Sequence, residues 1–413
     1  MVKRTARWLT LAVLCQAAWA QSVCTYVGQI TPNSVLIAWG TTLGNAGENT
    51  IGRNSKSLGP ATLRVADRTV KTKKNWAEIR GLQPDTQYPY EVSIRGRRAG
   101  GGTVRTWPLK AARLTFFVIG DYGNGSPEQR ALAAAMWNEF QRKASAGDPV
   151  RFVLTTGDNI YGDFEGGSGT PHSGTADSDW GAKFFTPYHE ILQQVPFLPS
   201  PGNHDGNASE NRGDLNTYLD NFFFPRNRPA RWYECHFGGL ADFFALDSTE
   251  NTTAGRPSPT YARNGAESRW LASAMAKSAA PWKIPYFHHP PFNAGPGHGA
   301  SYDDLRHWVE LFGRSGVKVA FTGHEHNFQF SEDSDITGHV RYVVTGSGGQ
   351  LRPANIEPEM ARAHIAGWAP VHHFLVVEID GRSMQITPVS TDPVMVRDAN
   401  GNAIGMPLVV RLP

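Results

Sequence analysis

The chain has 413 residues, 40% hydrophobic and 19% charged, with 12 Trp, 12 Tyr and 21 Phe. That composition supplies a large core and excludes a mostly disordered chain. At roughly 150 residues per domain the length predicts two or three domains, and no apolar stretch of about 20 residues in the body of the chain predicts a membrane-spanning helix.

At the N-terminus, Lys3, Arg4 and Arg7 precede an apolar run from Trp8 to Cys15, and Ala18-Trp19-Ala20 has the small-x-small form of a signal-peptidase site. The pattern predicts a signal peptide over 1–20, cleaved before Gln21, and a mature protein that is secreted or periplasmic; the alternative is an ordinary buried N-terminal helix. A lipoprotein signal is disfavoured because Leu14 stands where a small residue is wanted. Loss of the leader takes the net charge from +3 to 0 and leaves two cysteines, Cys24 and Cys235. Such a pair permits one disulfide in an oxidising compartment, although nothing in the sequence brings the two together.

Residues 21–107 read as a β domain. Ser34-Val-Leu-Ile-Ala-Trp39 is a compact strand signal, and Tyr88, Tyr90, Val92 and Ile94 alternate with the period of a half-buried strand. Gly81-Leu-Gln-Pro-Asp-Thr86 before them carries turn residues, while Pro89 predicts an edge strand or a bulge. The run from Trp76 to Val92, with its Leu82-x-Pro84-x-Thr86-x-Tyr88 turn, resembles the later strands of a fibronectin type III sandwich. Such a module is expected to be a spacer or docking surface. It carries 12 Lys and Arg against 5 Asp and Glu, a net of +7, and the remainder of the chain carries −7. A basic module suits an anionic surface, but solvated strand edges account for the same charge.

After Trp107-Pro108 the pattern becomes strands alternating with helical segments. Leu114–Ile119 is an apolar run, Pro127-Glu128 opens an amphipathic stretch to about Lys143, and Val150–Leu154 follows as a strand, which predicts an α/β domain over 108–413. Five times there, a strand-like run ends in a metal-competent side chain, four of them just after a small residue. The five ends are Gly120-Asp121-Tyr122-Gly123, Gly157-Asp158-Asn159-Ile160-Tyr161, Gly202-Asn203-His204-Asp205, His288-His289-Pro290 and Gly323-His324-Glu325-His326. Ligands gather beyond the carboxyl ends of strands in open α/β sheets, so five such ends can converge on one site. Any one of them alone is a turn or a surface histidine; all five in this order point to one centre.

The set GDxG, GDxxY, GNHD, HxP and GHxH resembles the calcineurin-like metallophosphoesterases, and Tyr161 narrows the resemblance to the purple acid phosphatases in their two-domain form. The resemblance covers nearly the whole mature chain. It implies a central β-sandwich flanked by helices, with one metal held by Asp121, Asp158, Tyr161 and His326 and a second by Asp158, Asn203, His288 and His324, Asp158 bridging. Hard carboxylates and a phenolate suit Fe(III), while two imidazoles and an amide suit a divalent ion, Zn, Fe or Mn. A tyrosinate on Fe(III) accounts for the purple colour. The implied reaction is hydrolysis of phosphate monoesters by attack of a metal-activated hydroxide. His204 and His298 stand where the family keeps two histidines outside the metal shell, and His289 is left at a variable position.

The implied partner is a small phosphate ester, with no specific nucleic acid and no transmembrane segment; the sequence leaves the oligomeric state open. Two other readings stand beside this one: a phosphodiesterase of the same superfamily acting on nucleotides or lipids, and a non-catalytic extracellular binding protein, which would be expected to have lost ligands. The 21–107 module is expected to be dispensable for chemistry because no ligand comes from it. His372-His373 reads as a structural pair, Thr345-Gly-Ser-Gly-Gly349 as a wide turn, and the Gly-rich loop 162–181 either rims the site or is plain solvent-exposed chain. Two sequons, at Asn207 and Asn251, matter only in a glycosylating host.

Overall fold

The computed structural model describes residues 23–41, 51–162, 180–206, 214–252 and 260–413. The predicted leader, most of the 162–181 loop and the Asn207 sequon lie outside the described residues. Seven strands come first. Val23–Ile30, Ser34–Thr41 and Trp76–Arg80 form an antiparallel three-stranded sheet, while Arg68–Thr72, Ala61–Val65, Gln87–Ile94 and Arg97–Arg105, in that spatial order, form a four-stranded one. Tyr90, Val92 and Ile94 are buried on one face of their strand, as the alternation predicts. The Tyr88 hydroxyl accepts the N–H of Gln83 at 2.9 Å, so the turn is tied back by the tyrosine that follows it, a geometry familiar from β-sandwiches. Pro89 does not mark an edge. Its strand lies between two others, Pro89 faces Thr103, and the register shift falls later, between Val92 and Ser93.

Two larger sheets follow. The first has Phe197–Ser200, Val150–Thr156 and Arg113–Ile119 in parallel, continued antiparallel by Phe374–Asp380, Ser383–Val389 and Leu408–Arg411. The second has nine strands, whose parallel centre is Ala241–Ala245, Trp282–Tyr286, Val319–Thr322 and Arg341–Thr345. The sheets pack face to face through aromatic rings: Phe116 and Phe152 of the first meet Phe243 of the second at 5.3 and 5.0 Å. Their outer faces are covered by helices. Phe117 turns outward onto Phe140 of helix Pro127–Ser145, and Phe244 joins Leu271 of helix Ala266–Lys277 and Trp308 of helix Tyr302–Arg314. With both faces buried, the strands read as continuous apolar runs rather than alternating ones. Helix Pro127–Ser145 starts where its residues dictate: Ser126 accepts the N–H of Gln129, Pro127 opens the first turn, and Arg142 and Lys143 close the last.

The N-terminal sheets share one apolar core with the first large sheet. Tyr26 packs on Phe185 at 5.1 Å, Trp107 on Phe152 at 5.7 Å, and the Tyr90 hydroxyl donates to the Gln193 carbonyl at 3.0 Å. Cys24 and Cys235 are both buried free thiols, so the disulfide the sequence permits is not formed. Among the described residues no helix is long and apolar enough to cross a membrane.

Candidate metal centre

The five predicted strand ends open onto one place, three from the first large sheet and two from the second. The chain turns sharply there. Asp121, Asp158 and His324 have φ of 55°, 47° and 70°, a left-handed conformation that ordinary residues adopt at a cost and that clusters at functional sites. The turns are zipped to one another: Asp121 N donates to Gly157 O, Tyr161 N to Gly123 O and Gly323 N to His288 O. Gly202 shows why a small residue precedes the ligand, since a Cβ there would sit 2.1 Å from the backbone nitrogen of Asp158.

The seven side chains predicted as ligands come together in two overlapping groups. The Tyr161 hydroxyl lies 3.2 Å from Asp121 Oδ1, 3.0 Å from Asp158 Oδ2 and 3.4 Å from His326 Nε2. His288 Nε2 lies 3.0 Å from Asn203 Oδ1, 3.2 Å from His324 Nδ1 and 3.4 Å from Asp158 Oδ2. Oδ2 of Asp158 therefore touches both groups. Asp121, Asp158, Tyr161 and His288 are almost wholly buried. His288 Nδ1 is occupied by the Thr156 carbonyl at 2.8 Å, which leaves Nε2 as the inward-facing donor; such an outer partner is what orients a metal-binding imidazole.

The electrostatics of this cluster fit cations. Burial pushes the Asp121 carboxyl up, reinforced by the charge of Asp158; for Asp158 burial works in the same direction but is outweighed by His288 and His204, which hold it down. Burial and the two carboxylates together push the Tyr161 phenol well above its ordinary value. Burial drives the imidazoles of His324 and His326 the other way, His326 to about 3, leaving them neutral as a ligand must be. Two carboxylates, a phenol, an amide oxygen and three imidazoles packed out of water are a donor set of mixed hardness suited to two ions.

His204 and His298 flank the cluster from different sides. The His204 ring lies 4.8 Å from the Tyr161 ring, the backbone N–H of His204 donates to Asp158 Oδ1 at 2.8 Å, and the buried ring Nδ1 has no partner among the described residues. The His298 ring stacks on His324 at 3.8 Å, and its Nδ1 meets Arg352 Nη1 at 2.9 Å and the His324 carbonyl at 3.0 Å.

Several residues that organise the centre carry roles the sequence reading did not assign. Asn159 Nδ2 donates to Asp205 Oδ2 at 2.8 Å and to the Ser200 carbonyl at 3.0 Å, and Asp205 also accepts the N–H groups of Asn159 and Gly202. These two locked side chains join the loops of Asp158 and Asn203; burial, then Asp158, pushes the Asp205 carboxyl up to about 8. Glu325, wholly buried, accepts the N–H groups of Gly297 and His298 at 3.0 and 2.7 Å and Arg352 Nη1 at 3.3 Å, fixing the loop that carries His298. Asn159, Asp205 and Glu325 were within the quoted motifs, which is the signal that could have found them. A sixth strand end, Leu246-Asp247-Ser248-Thr249 after Ala241–Ala245, also reaches the site but lacks the glycine that marked most of the others. Asn251 behind it is buried and donates to Gly202 O at 2.9 Å, so its sequon is not accessible in the fold.

The remaining sequence candidates lie outside the two donor groups. Gly348 and Gly349 donate their N–H groups to the carbonyls of Gly120 and Asp121, so the Thr345–Gly349 turn buttresses a ligand loop. His373 is buried against Ser347 and the Val371 carbonyl and, like His372, belongs to no group of metal-competent side chains among the described residues.

The profile of the calcineurin-like phosphoesterase family matches residues 114–328, more than half of the chain. The human tartrate-resistant acid phosphatase type 5 is 23% identical over 303 residues, covering 66% of this chain and 86% of that protein. Among solved structures, PhoD superposes with a TM-score of 0.64 at 14% identity over 94% of this chain and 92% of that one. The purple acid phosphatase PPD1 from yellow lupin (Lupinus luteus) seeds gives 0.63 at 14% identity over 94% of this chain and 74% of that one. At these identities the structural likeness is one of fold.

Proposed function

The chain belongs to the calcineurin-like phosphoesterases, and on that premise we propose that it is a two-metal acid phosphatase that hydrolyses phosphate monoesters. The observation that carries this reading is the position of Asp158, whose Oδ2 lies 3.0 Å from the Tyr161 hydroxyl and 3.4 Å from His288 Nε2. One carboxylate oxygen common to a carboxylate–phenol group and an imidazole–amide group is what a bridged pair of ions requires. Asp121, Asp158, Tyr161 and His326 would hold a hard ion, Fe(III), and Asp158, Asn203, His288 and His324 a divalent one. Bound there, the two ions would neutralise the phosphoryl oxygens and acidify water for attack at phosphorus.

The protein's own groups do the rest. Asn159 and Asp205 keep two ligand loops in register, so the donors are oriented before any substrate arrives. His204, beside Tyr161, is placed to donate to a phosphoryl oxygen. His298 lies on the opposite flank, next to a cavity of about 680 Å³ lined by Asn293, Gly297, Asn355, Glu359 and Arg362, which has room for the alcohol half of a small ester. There it is placed to deliver a proton to the leaving alkoxide. The test is a comparison of monoester and diester chromogenic substrates on the metal-loaded protein across acid pH. A monoester preference is expected; a faster diester rate would replace the reading with a phosphodiesterase, and no turnover of either would contradict it.

A further inference from the structure

Each side of the centre carries an imidazole outside the predicted metal shell, but on the His288–His324 side there are two. His289 follows His288 directly, and its ring lies 4.4 Å from the His324 ring and 5.0 Å from the His288 ring. Ligand-competent nitrogens of His288, His289 and His324 all fall within 4.8 Å of one another, and His289 is only partly covered. Proximity alone would make it a further ligand. Its hydrogen bonding argues otherwise.

The hydroxyl of Ser248 lies 2.9 Å from His289 Nδ1 and also accepts the N–H of His289 at 3.0 Å. Ser248 is 4% exposed and has no other hydrogen-bond partner among the described residues. If Nδ1 carried the proton, the buried hydroxyl hydrogen would have no acceptor, a loss of about 1–3 kcal/mol. The hydroxyl therefore donates to Nδ1, and the ring proton sits on Nε2. Ser248 itself cannot drift: it rides on the sixth strand end, where Asp247 is anchored by Arg231 at 2.5 Å and caps Thr249. A neutral imidazole with its proton on Nε2 has no lone pair there to give a metal; it has an N–H to give an anion.

We propose that His289, oriented by Ser248, is a further substrate-contacting residue whose Nε2–H donates to a phosphoryl oxygen on the His288–His324 side of the centre. The proposal rests on the phosphoesterase reading and adds a donor to it. Inorganic phosphate is the probe, its binding to the metal-loaded protein measured by calorimetry alongside metal content. His289→Ala is expected to keep the metal content of the parent protein and to weaken phosphate binding about tenfold, the size of one lost hydrogen bond to a charged group. His289→Gln, whose amide nitrogen reaches the place of Nε2, is expected to recover most of that affinity, and Ser248→Ala to lose part of it. Loss of one metal equivalent in His289→Ala would make His289 a ligand and overturn the proposal, as would unchanged phosphate affinity in a variant that keeps its metals. If the parent protein, fully loaded, binds no phosphate and turns over no ester, the phosphoesterase reading itself fails; if it does both and His289→Ala matches it, only the present proposal fails.

Discussion

Tyr161 sits between two carboxylates with its phenol held neutral, first by burial and then by the charges of Asp121 and Asp158. Only a hard cation overcomes that. Tyr161→Phe is therefore expected to remove the visible absorbance of the iron-loaded, oxidised protein while changing stability by no more than about 1 kcal/mol, since only one hydroxyl is lost; spectra and thermal unfolding check both, and an unchanged spectrum would exclude the phenolate. Glu325 acts at one remove. Glu325→Ala leaves the N–H groups of Gly297 and His298 without their acceptor, and turnover should fall about 10- to 100-fold with metal content unchanged. The double variant with His298→Ala should be no slower than His298→Ala alone, because the two residues act through one ring; additive losses would separate them. The five strand ends were legible in the sequence because each follows an apolar strand signal, four of them with a glycine; which side chains in them are ligands is what the family resemblance implies. The partners of Asn159, Asp205 and Glu325 were not legible. Asp205 reaches a loop 46 residues away and Glu325 one 27 residues away, and nothing local announces such bonds.

Between elements, the centre depends on how closely its loops approach. Gly346 touches two of these loops at once: a Cβ there would lie 2.2 Å from the Glu325 carbonyl and 3.1 Å from Asp121 Oδ2. Gly346→Ala must push the Thr345–Gly349 turn off two ligand loops at once, an overpacking cost of about 1–3 kcal/mol. A melting temperature several degrees lower is expected, with weaker metal retention against a chelator; an unchanged melting curve would show that the loops are not coupled in this way. The strand ends themselves could be read from the chain because apolar runs stop abruptly at Gly120, Gly157, Gly202 and Gly323. The division of those strands between two sheets could not. Phe243 facing the inner core and Phe244 facing the helices look alike in sequence when both faces are buried.

At the scale of the molecule, no proposed ligand comes from residues 21–107, so the module is still expected to contribute nothing to bond cleavage. Its contribution is to stability. Tyr26, Trp76 and Trp107 pack on Phe185, Phe223 and Phe152, and Arg151 reaches the Thr106 carbonyl at 2.7 Å. Removing 21–107 would strip that apolar surface bare at roughly 25 cal/mol per Å², and the truncated chain is expected to aggregate or melt well below the full-length protein. A monodisperse truncation with the parent melting temperature and turnover would contradict this. The sequence concealed the shared core because its residues serve equally well as the inner face of a free-standing sandwich.

Asp158 is where the two donor groups meet. Metal analysis of the purified protein beside Asp158→Ala tests the shared-ligand assignment most directly, since Asp158 Oδ2 lies 3.0 Å from the Tyr161 hydroxyl and 3.4 Å from His288 Nε2. Two ions per chain are expected in the parent protein and the loss of both in the variant. Two full equivalents retained by Asp158→Ala would contradict that assignment.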